Sequence, residues 1–137
     1  MNANIKLVDG MAMVGKGDTN HWVPMDGPES LGGFSAGMRP MEMVLLGLGG
    51  CTAMDVLSIM RKKRVPFRDF EIKMKADRAD DHPKVFTKIE IIFIVYGQNI
   101  NERDVERAIE LSETKYCSAS AMLSKTAEIV TRFEIFE

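Results

Sequence analysis

Residues 40–64 read PMEMVLLGLGGCTAMDVLSIMRKKR, and this stretch decides the fold. No second proline interrupts it, and apolar residues fall on every side of a helical wheel, which predicts one long helix buried all round. Pro40 suits the first turn of a helix. The basic residues of 61–64, followed by Pro66, predict that this helix ends there. The polar ends and the glycines argue against a membrane span. We therefore expect a buried core helix and no association with a membrane.

The segments on either side of this helix alternate apolar and polar residues as β-strands do. Before it, Asp9-Gly10 predicts a hairpin turn between strands at 5–8 and 11–15. Residues 21–25 predict a third strand, with Pro24 at an edge or a strand end. The elements predicted after the helix are strands at 67–78 and 85–96, helices at 101–115 and 116–125, and a strand at 128–136.

This order of elements predicts an α+β fold with an antiparallel sheet, in one domain that spans residues 1–137. A helix that is apolar on every side needs cover on two sides, and a single sheet of this size covers one. We therefore expect a homodimer whose long helices help to fill a shared core.

Charge and composition exclude several classes of function. The chain of 137 residues has a formal net charge of −2 and no basic stripe, so we expect no nucleic-acid partner. The N-terminus has no apolar run after a basic segment, which predicts no signal peptide and a cytoplasmic location. Thiols stay reduced in that compartment, so a cysteine pair there favours catalysis or redox sensing over a structural disulfide.

The chain has two cysteines, Cys51 in the long helix and Cys117 among small residues near its C-terminal end. Asp55 follows Cys51 by one helical turn, and glycines at 47, 49 and 50 suggest that another backbone or a substrate approaches closely. Two such cysteines could meet, although two inert core thiols would give the same pattern. His21 and His82 have no spacing that pairs them with the cysteines, so we expect no metal and no cofactor.

Three features together resemble the osmotically inducible protein C and organic hydroperoxide resistance family. They are the helix opening at 40–45, the segment 49–56 around the first cysteine, and residues 116–118 with the strand that follows. The resemblance implies an intertwined α+β homodimer with long central helices and active sites at the subunit interface. It also implies reduction of organic hydroperoxides, with Cys51 as the peroxidatic thiol, Cys117 as the resolving thiol, and a dithiol reductant such as a lipoyl group.

The sequence departs from the active members of that family at two positions. They carry a glutamate directly after the helix-opening proline, whereas here Met41 stands there and Glu42 follows. They also carry an arginine before the helix that lowers the pKa of the thiol, whereas residues 21–38 contain no arginine or lysine here and Arg39 is the only near candidate. The predicted catalytic set is therefore Cys51, Cys117, Glu42 and Arg39. The charge of Asp55 disfavours a thiolate at Cys51, so we expect a less acidic thiol and slower turnover.

These observations leave three functions open. The first is a thiol peroxidase, for which 11 methionines and Phe34 would provide an apolar lining suited to organic peroxides, although core packing explains most methionines equally well. The second is a redox sensor or a protein that binds a small apolar ligand, which the shifted Glu42 and the missing upstream arginine favour. The third is a structural protein whose native thiols do not react with alkylating reagents.

Overall fold

The computed structural model describes residues 1–137, which divide into two compact units, Met1–Val44 and Leu45–Glu137. Helices and strands follow the predicted order. The strands are β1 (Ala3–Asp9), β2 (Ala12–Gly17), β3 (Val23–Met25), β4 (Asp69–Arg78), β5 (Phe86–Tyr96) and β6 (Glu128–Phe136), and the α-helices are α1 (Pro40–Lys62), α2 (Glu102–Leu111) and α3 (Ser118–Leu123).

In the first unit, β1, β2 and β3 form an antiparallel sheet in that order. The hairpin predicted from Asp9-Gly10 is confirmed, and Gly10 adopts the left-handed backbone conformation (φ 54°) that a side chain disfavours. The third strand is also confirmed. Pro24 lies opposite Val14 on β3, which is an edge strand, and edge strands are where a residue without an amide hydrogen is tolerated in a sheet.

The loop between β3 and α1 is organised by Asp26, a residue that the sequence analysis did not single out. Its carboxylate accepts backbone hydrogen bonds from Gly27, Phe34 and Ala36 at 2.7, 2.9 and 3.1 Å. Burial opposes ionisation, but these three amides and the positive charge of Arg39 outweigh it and hold the pKa of the Asp26 carboxyl below its ordinary value. The ionised carboxylate therefore holds the two ends of the loop together.

In the second unit, β5 is the central strand of a three-stranded sheet in the order β4-β5-β6. Strands β4 and β5 are antiparallel, but β5 and β6 are parallel, with Ile89 beside Ile129. The prediction of an antiparallel sheet is therefore wrong for this pair. The connection from β5 to β6 contains α2, a wide helical turn (Ser112–Tyr116) and α3, which is long enough to return the chain to the start of the sheet.

Helix α1 begins at Pro40 as predicted and ends at Lys62, before Pro66. In the single chain it buries only one face, formed by Leu48, Gly49, Thr52, Val56 and Met60. On other faces Leu46 and Met54 remain 56% and 76% exposed, so burial on every side, which was expected together with a second copy of the chain, stays a prediction. Gly49 permits a close approach, since a Cβ atom there would lie 2.6 Å from the sulfur of Met74.

Helix α1 is also long and apolar enough to cross a membrane by length and composition alone, with a mean hydropathy of 1.8 over its most apolar window. One such helix is weak support for a membrane span, because the core helix of a globular protein meets the same criteria. The glycines and the basic residues at its C-terminal end remain the sequence arguments against a span.

Candidate active site

The two cysteines are brought together, as the sequence analysis predicted. Cys51 lies on α1, and Asp55 lies one turn further along the same face. Cys117 lies where the wide helical turn ends and α3 begins. The two sulfur atoms and a carboxylate oxygen of Asp55 all lie within 4.8 Å of one another. Both cysteines are free thiols, and three groups this close could also chelate a metal ion, although the sequence predicted none.

Cys117 is buried, with 2% of its surface exposed, and its sulfur is surrounded by hydrogen-bond donors. The backbone amide of Ser120 donates to Sγ at 3.3 Å, and Thr52 Oγ1 lies 3.4 Å from the same atom. Burial disfavours the thiolate, but the hydroxyls of Ser120 and Thr52, the Ser120 amide and Cys51 outweigh it. The pKa of Cys117 is therefore lowered from its ordinary value.

Cys51 is only partly buried, and its surroundings act in the opposite direction. The backbone amide of Ala119 favours the thiolate. Burial, the hydrogen bond to Cys117 and the negative charges of Cys117 and Asp55 disfavour it more strongly, so the pKa of Cys51 is raised. This agrees with the expected effect of Asp55 and with the prediction of a less acidic thiol.

The other two predicted site residues, Arg39 and Glu42, have local hydrogen bonds at the start of α1. Glu42 accepts a 2.8 Å hydrogen bond from the backbone amide of Arg39, which is half of a capping box at the helix N-terminus. The guanidinium of Arg39 donates to the carbonyl oxygen of Asp26 at 3.1 Å and to Ser35 Oγ at 3.2 Å. Their catalytic roles stay predictions.

Three polar residues of the site were missed by the sequence analysis, namely Thr52, Ser112 and Ser120. All three are buried, and each contacts one of the residues around the thiols. Only Ser120 had a local sequence signal. It follows Cys117 by three positions, which is the spacing between an N-cap side chain and the backbone amide that donates a hydrogen bond to it. The other two contacts join residues far apart in the sequence.

The fold and the site together define an α+β protein with a paired-cysteine centre, and comparisons with known proteins agree. The family model described as OsmC-like protein matches residues 32–132, so the chain belongs to the OsmC-like family. Protein YhfA of Escherichia coli K12 is 38% identical over 135 residues, which cover 98% of both chains.

Two solved structures illustrate the range of similarity. A hypothetical protein from Aquifex aeolicus has a TM-score of 0.87 at 29% identity, with 99% of this chain and 96% of that chain covered. The organic hydroperoxide resistance protein OhrB of Bacillus subtilis has a TM-score of 0.64 at 14% identity, with 98% of each chain covered. The second likeness concerns the fold alone.

Proposed function

We propose that this protein is a thiol-dependent peroxidase that reduces organic hydroperoxides. Cys51 attacks the peroxide and becomes a sulfenic acid, and Cys117 condenses with it to form a disulfide. The observation that carries the proposal is the closeness of the two sulfur atoms, which belong to different elements of the chain. The partial exposure of Cys51, beside a buried Cys117, supports this order of roles because the first thiol must reach the substrate.

The proposal also includes a class of substrate, a reductant, two assisting residues and a cellular location. The chain belongs to the OsmC-like family, and OhrB of Bacillus subtilis, which shares its fold, is named for organic hydroperoxide resistance; this name supports an organic peroxide as substrate. A dithiol such as a lipoyl group would reduce the disulfide, and Arg39 and Glu42 would assist Cys51. A single OsmC-like domain in the cytoplasm, where thiols stay reduced, would suit such a cycle.

We also propose a homodimer in which α1 of each subunit lies in a shared core. Three observations support it. Leu46 and Met54 expose large apolar side chains on α1, and a Cβ atom at Gly47 or Gly50 would meet nothing within 4 Å. Strand β1 is exposed along its whole length. Apolar surface on a helix and an uncovered strand at the edge of a sheet are both features that a second copy would cover.

The experiment is peroxide consumption by the reduced, purified protein with dithiothreitol or dihydrolipoamide as electron donor. We expect cumene hydroperoxide to be consumed faster than hydrogen peroxide. Cys51→Ser should abolish the reaction, and Ser58→Ala, an exposed position on the same helix, serves as the control. A reduced protein that consumes neither peroxide would refute the proposal.

A second function, redox sensing without rapid turnover, is favoured by the raised pKa of Cys51. A thiol that is mostly protonated at neutral pH reacts slowly with peroxide, because the thiolate is the nucleophile. In that case one equivalent of peroxide should oxidise the pair to a disulfide, while steady-state consumption in the presence of a dithiol stays near the uncatalysed rate.

A further inference from the structure

The two thiols of the site differ sharply in the hydrogen bonds they receive. The Cys117 sulfur has the Ser120 amide at 3.3 Å and the Thr52 hydroxyl at 3.4 Å as hydrogen-bond partners. Cys51 has the amide of Ala119 and lies beside the carboxylate of Asp55. Hydrogen bonds to a charged group stabilise it, and a neighbouring like charge destabilises it.

The hydroxyl of Thr52 has one proton and two neighbouring acceptors. It lies 3.0 Å from the carbonyl oxygen of Leu48, one helical turn earlier, and 3.4 Å from Cys117 Sγ. When Cys117 is a thiol, its S–H donates to Thr52 Oγ1, and Thr52 donates to Leu48. When Cys117 is a thiolate, the hydroxyl proton turns to the sulfur. Thr52 therefore serves both protonation states without moving its backbone.

The hydroxyl of Ser120 is the second unusual group. The side chain is buried, and Oγ has no hydrogen-bond partner. A buried hydroxyl without a partner is costly, which calls for an explanation. The neighbouring Cys117 sulfur would become an acceptor for this hydroxyl on ionisation, and the proximity of the Ser120 side chain accordingly lowers the pKa of Cys117.

We propose that Thr52 and Ser120 are positioning residues that place the single negative charge of the reduced pair on Cys117, while Cys51 keeps its proton. The resolving cysteine is then the activated member of the pair before any peroxide arrives. Asp55 contributes from the other side, because its carboxylate disfavours a second negative charge at Cys51.

The consequence for the reaction rests on the proposed function. The Cys51 proton passes to the Cys117 thiolate as the Cys51 sulfur attacks the distal peroxide oxygen. The O–O bond breaks, and the leaving alkoxide takes the proton from Cys117. Cys117, again a thiolate, attacks the sulfur of the Cys51 sulfenic acid, the S–S bond forms and hydroxide leaves. One thiol, one thiolate and one hydroperoxide thus give a disulfide, an alcohol and hydroxide.

The test measures thiolate absorbance against pH in the reduced full-length chain, which needs no peroxide. We expect the single thiolate of Cys51→Ser to form at a lower pH than the single thiolate of Cys117→Ser. Adding Thr52→Val or Ser120→Ala to Cys51→Ser should raise the midpoint by about one pH unit each. Thr52→Ser, which keeps the hydroxyl, should leave it unchanged.

Matched controls for these variants are Thr87→Val on β5 and Ser118→Ala on α3, both at exposed positions, which should not move the midpoint. If Thr52→Val does not fold, the midpoint of Ser120→Ala alone decides between the two outcomes. A Cys117→Ser thiolate that forms at the same or a lower pH than that of Cys51→Ser overturns the proposal. Loss of peroxide consumption with the absorbance order intact would instead refute the proposed function and leave this charge assignment standing.

Discussion

The hydroxyl of Ser112 donates a 3.2 Å hydrogen bond to the carboxylate of Asp55 and holds it beside the two thiols. Ser112 is fully buried at the start of the wide helical turn, so the bond joins α1 to the segment that leads to Cys117. The position of the negative charge near Cys51 is therefore set by a contact between distant parts of the chain.

Replacing that charge should make Cys51 more reactive. Asp55→Asn removes a repulsion that raises the pKa of Cys51, so more of the thiolate is present at neutral pH. We expect alkylation of Cys51 by iodoacetamide, followed by mass spectrometry of the peptide, to become about 3- to 10-fold faster. Asp77→Asn on the exposed face of β4 is the control. An unchanged or slower alkylation of Cys51 would contradict the role given to Asp55.

The roles of the two cysteines should be distinguishable by the oxidation products that form with peroxide. In Cys117→Ser the reaction should stop at a sulfenic acid on Cys51, because no second thiol is available to condense with it. Dimedone should label that variant in full and the wild-type chain only weakly, as judged by intact-mass measurement. Cys51→Ser should show neither the label nor a disulfide. Dimedone labelling at Cys117 in Cys51→Ser would reverse the assigned roles.

The exposed glycines of α1 test the proposed dimer. If no partner packs against α1, Gly47→Ala and Gly50→Ala should each raise the free energy of unfolding by about 1 kcal/mol, since nothing in the single chain lies within 4 Å of the added Cβ. If a partner helix packs there, the added methyl groups should instead cost about 1–3 kcal/mol through overpacking. We expect the second result, seen as dissociation to monomers by light scattering and a lower melting temperature.

The comparison in this experiment is Lys62→Ala, at the exposed C-terminal end of the same helix and away from the segment that carries Gly47 and Gly50, and it should leave the molar mass unchanged. Stabilised variants that scatter light at the wild-type mass would show that this face of α1 is free of a partner.

Asp26 should make stability depend on pH. Its folded pKa is lowered, so its contribution is present above the unfolded pKa of about 3.9 and disappears as the pH falls through the folded value. Asp26→Asn should therefore melt at a lower temperature than the wild type at neutral pH, and the difference should vanish at strongly acidic pH. Asp80→Asn, in the exposed turn between β4 and β5, is the control for scanning calorimetry. A difference that persists unchanged in acid would contradict the role of the carboxylate.

Local patterns were sufficient for most elements of the fold. The alternation of residues 128–136 predicted β6 with the bounds that the structure has, and Pro40 with Pro66 bracketed α1. Such signals are local because the period of apolar residues and the conformational limits of proline act within a few residues. The direction of β6 was not predictable in this way, because the alternation of a strand is the same whichever way it runs.

The candidate site was likewise predicted only in part from the sequence. The pair Cys51 and Cys117 was predicted from residue type, small neighbours and family resemblance, and the structure brings the two sulfurs together. The charge balance between them depends on Thr52, Ser112 and Ser120, which no sequence period distinguishes from ordinary helix residues. Likewise, nothing before the helix indicated that Asp26 would collect three amides.

The sequence by itself therefore determined the order of elements, the family and the two cysteines of the candidate site, because each of these depends on residue type and short-range spacing. Only the tertiary structure decided which face of α1 is buried, which way β6 runs and which thiol sits among hydrogen-bond donors. These properties depend on atoms that are distant along the chain, such as Thr52 and Cys117, and become neighbours only when the chain is folded.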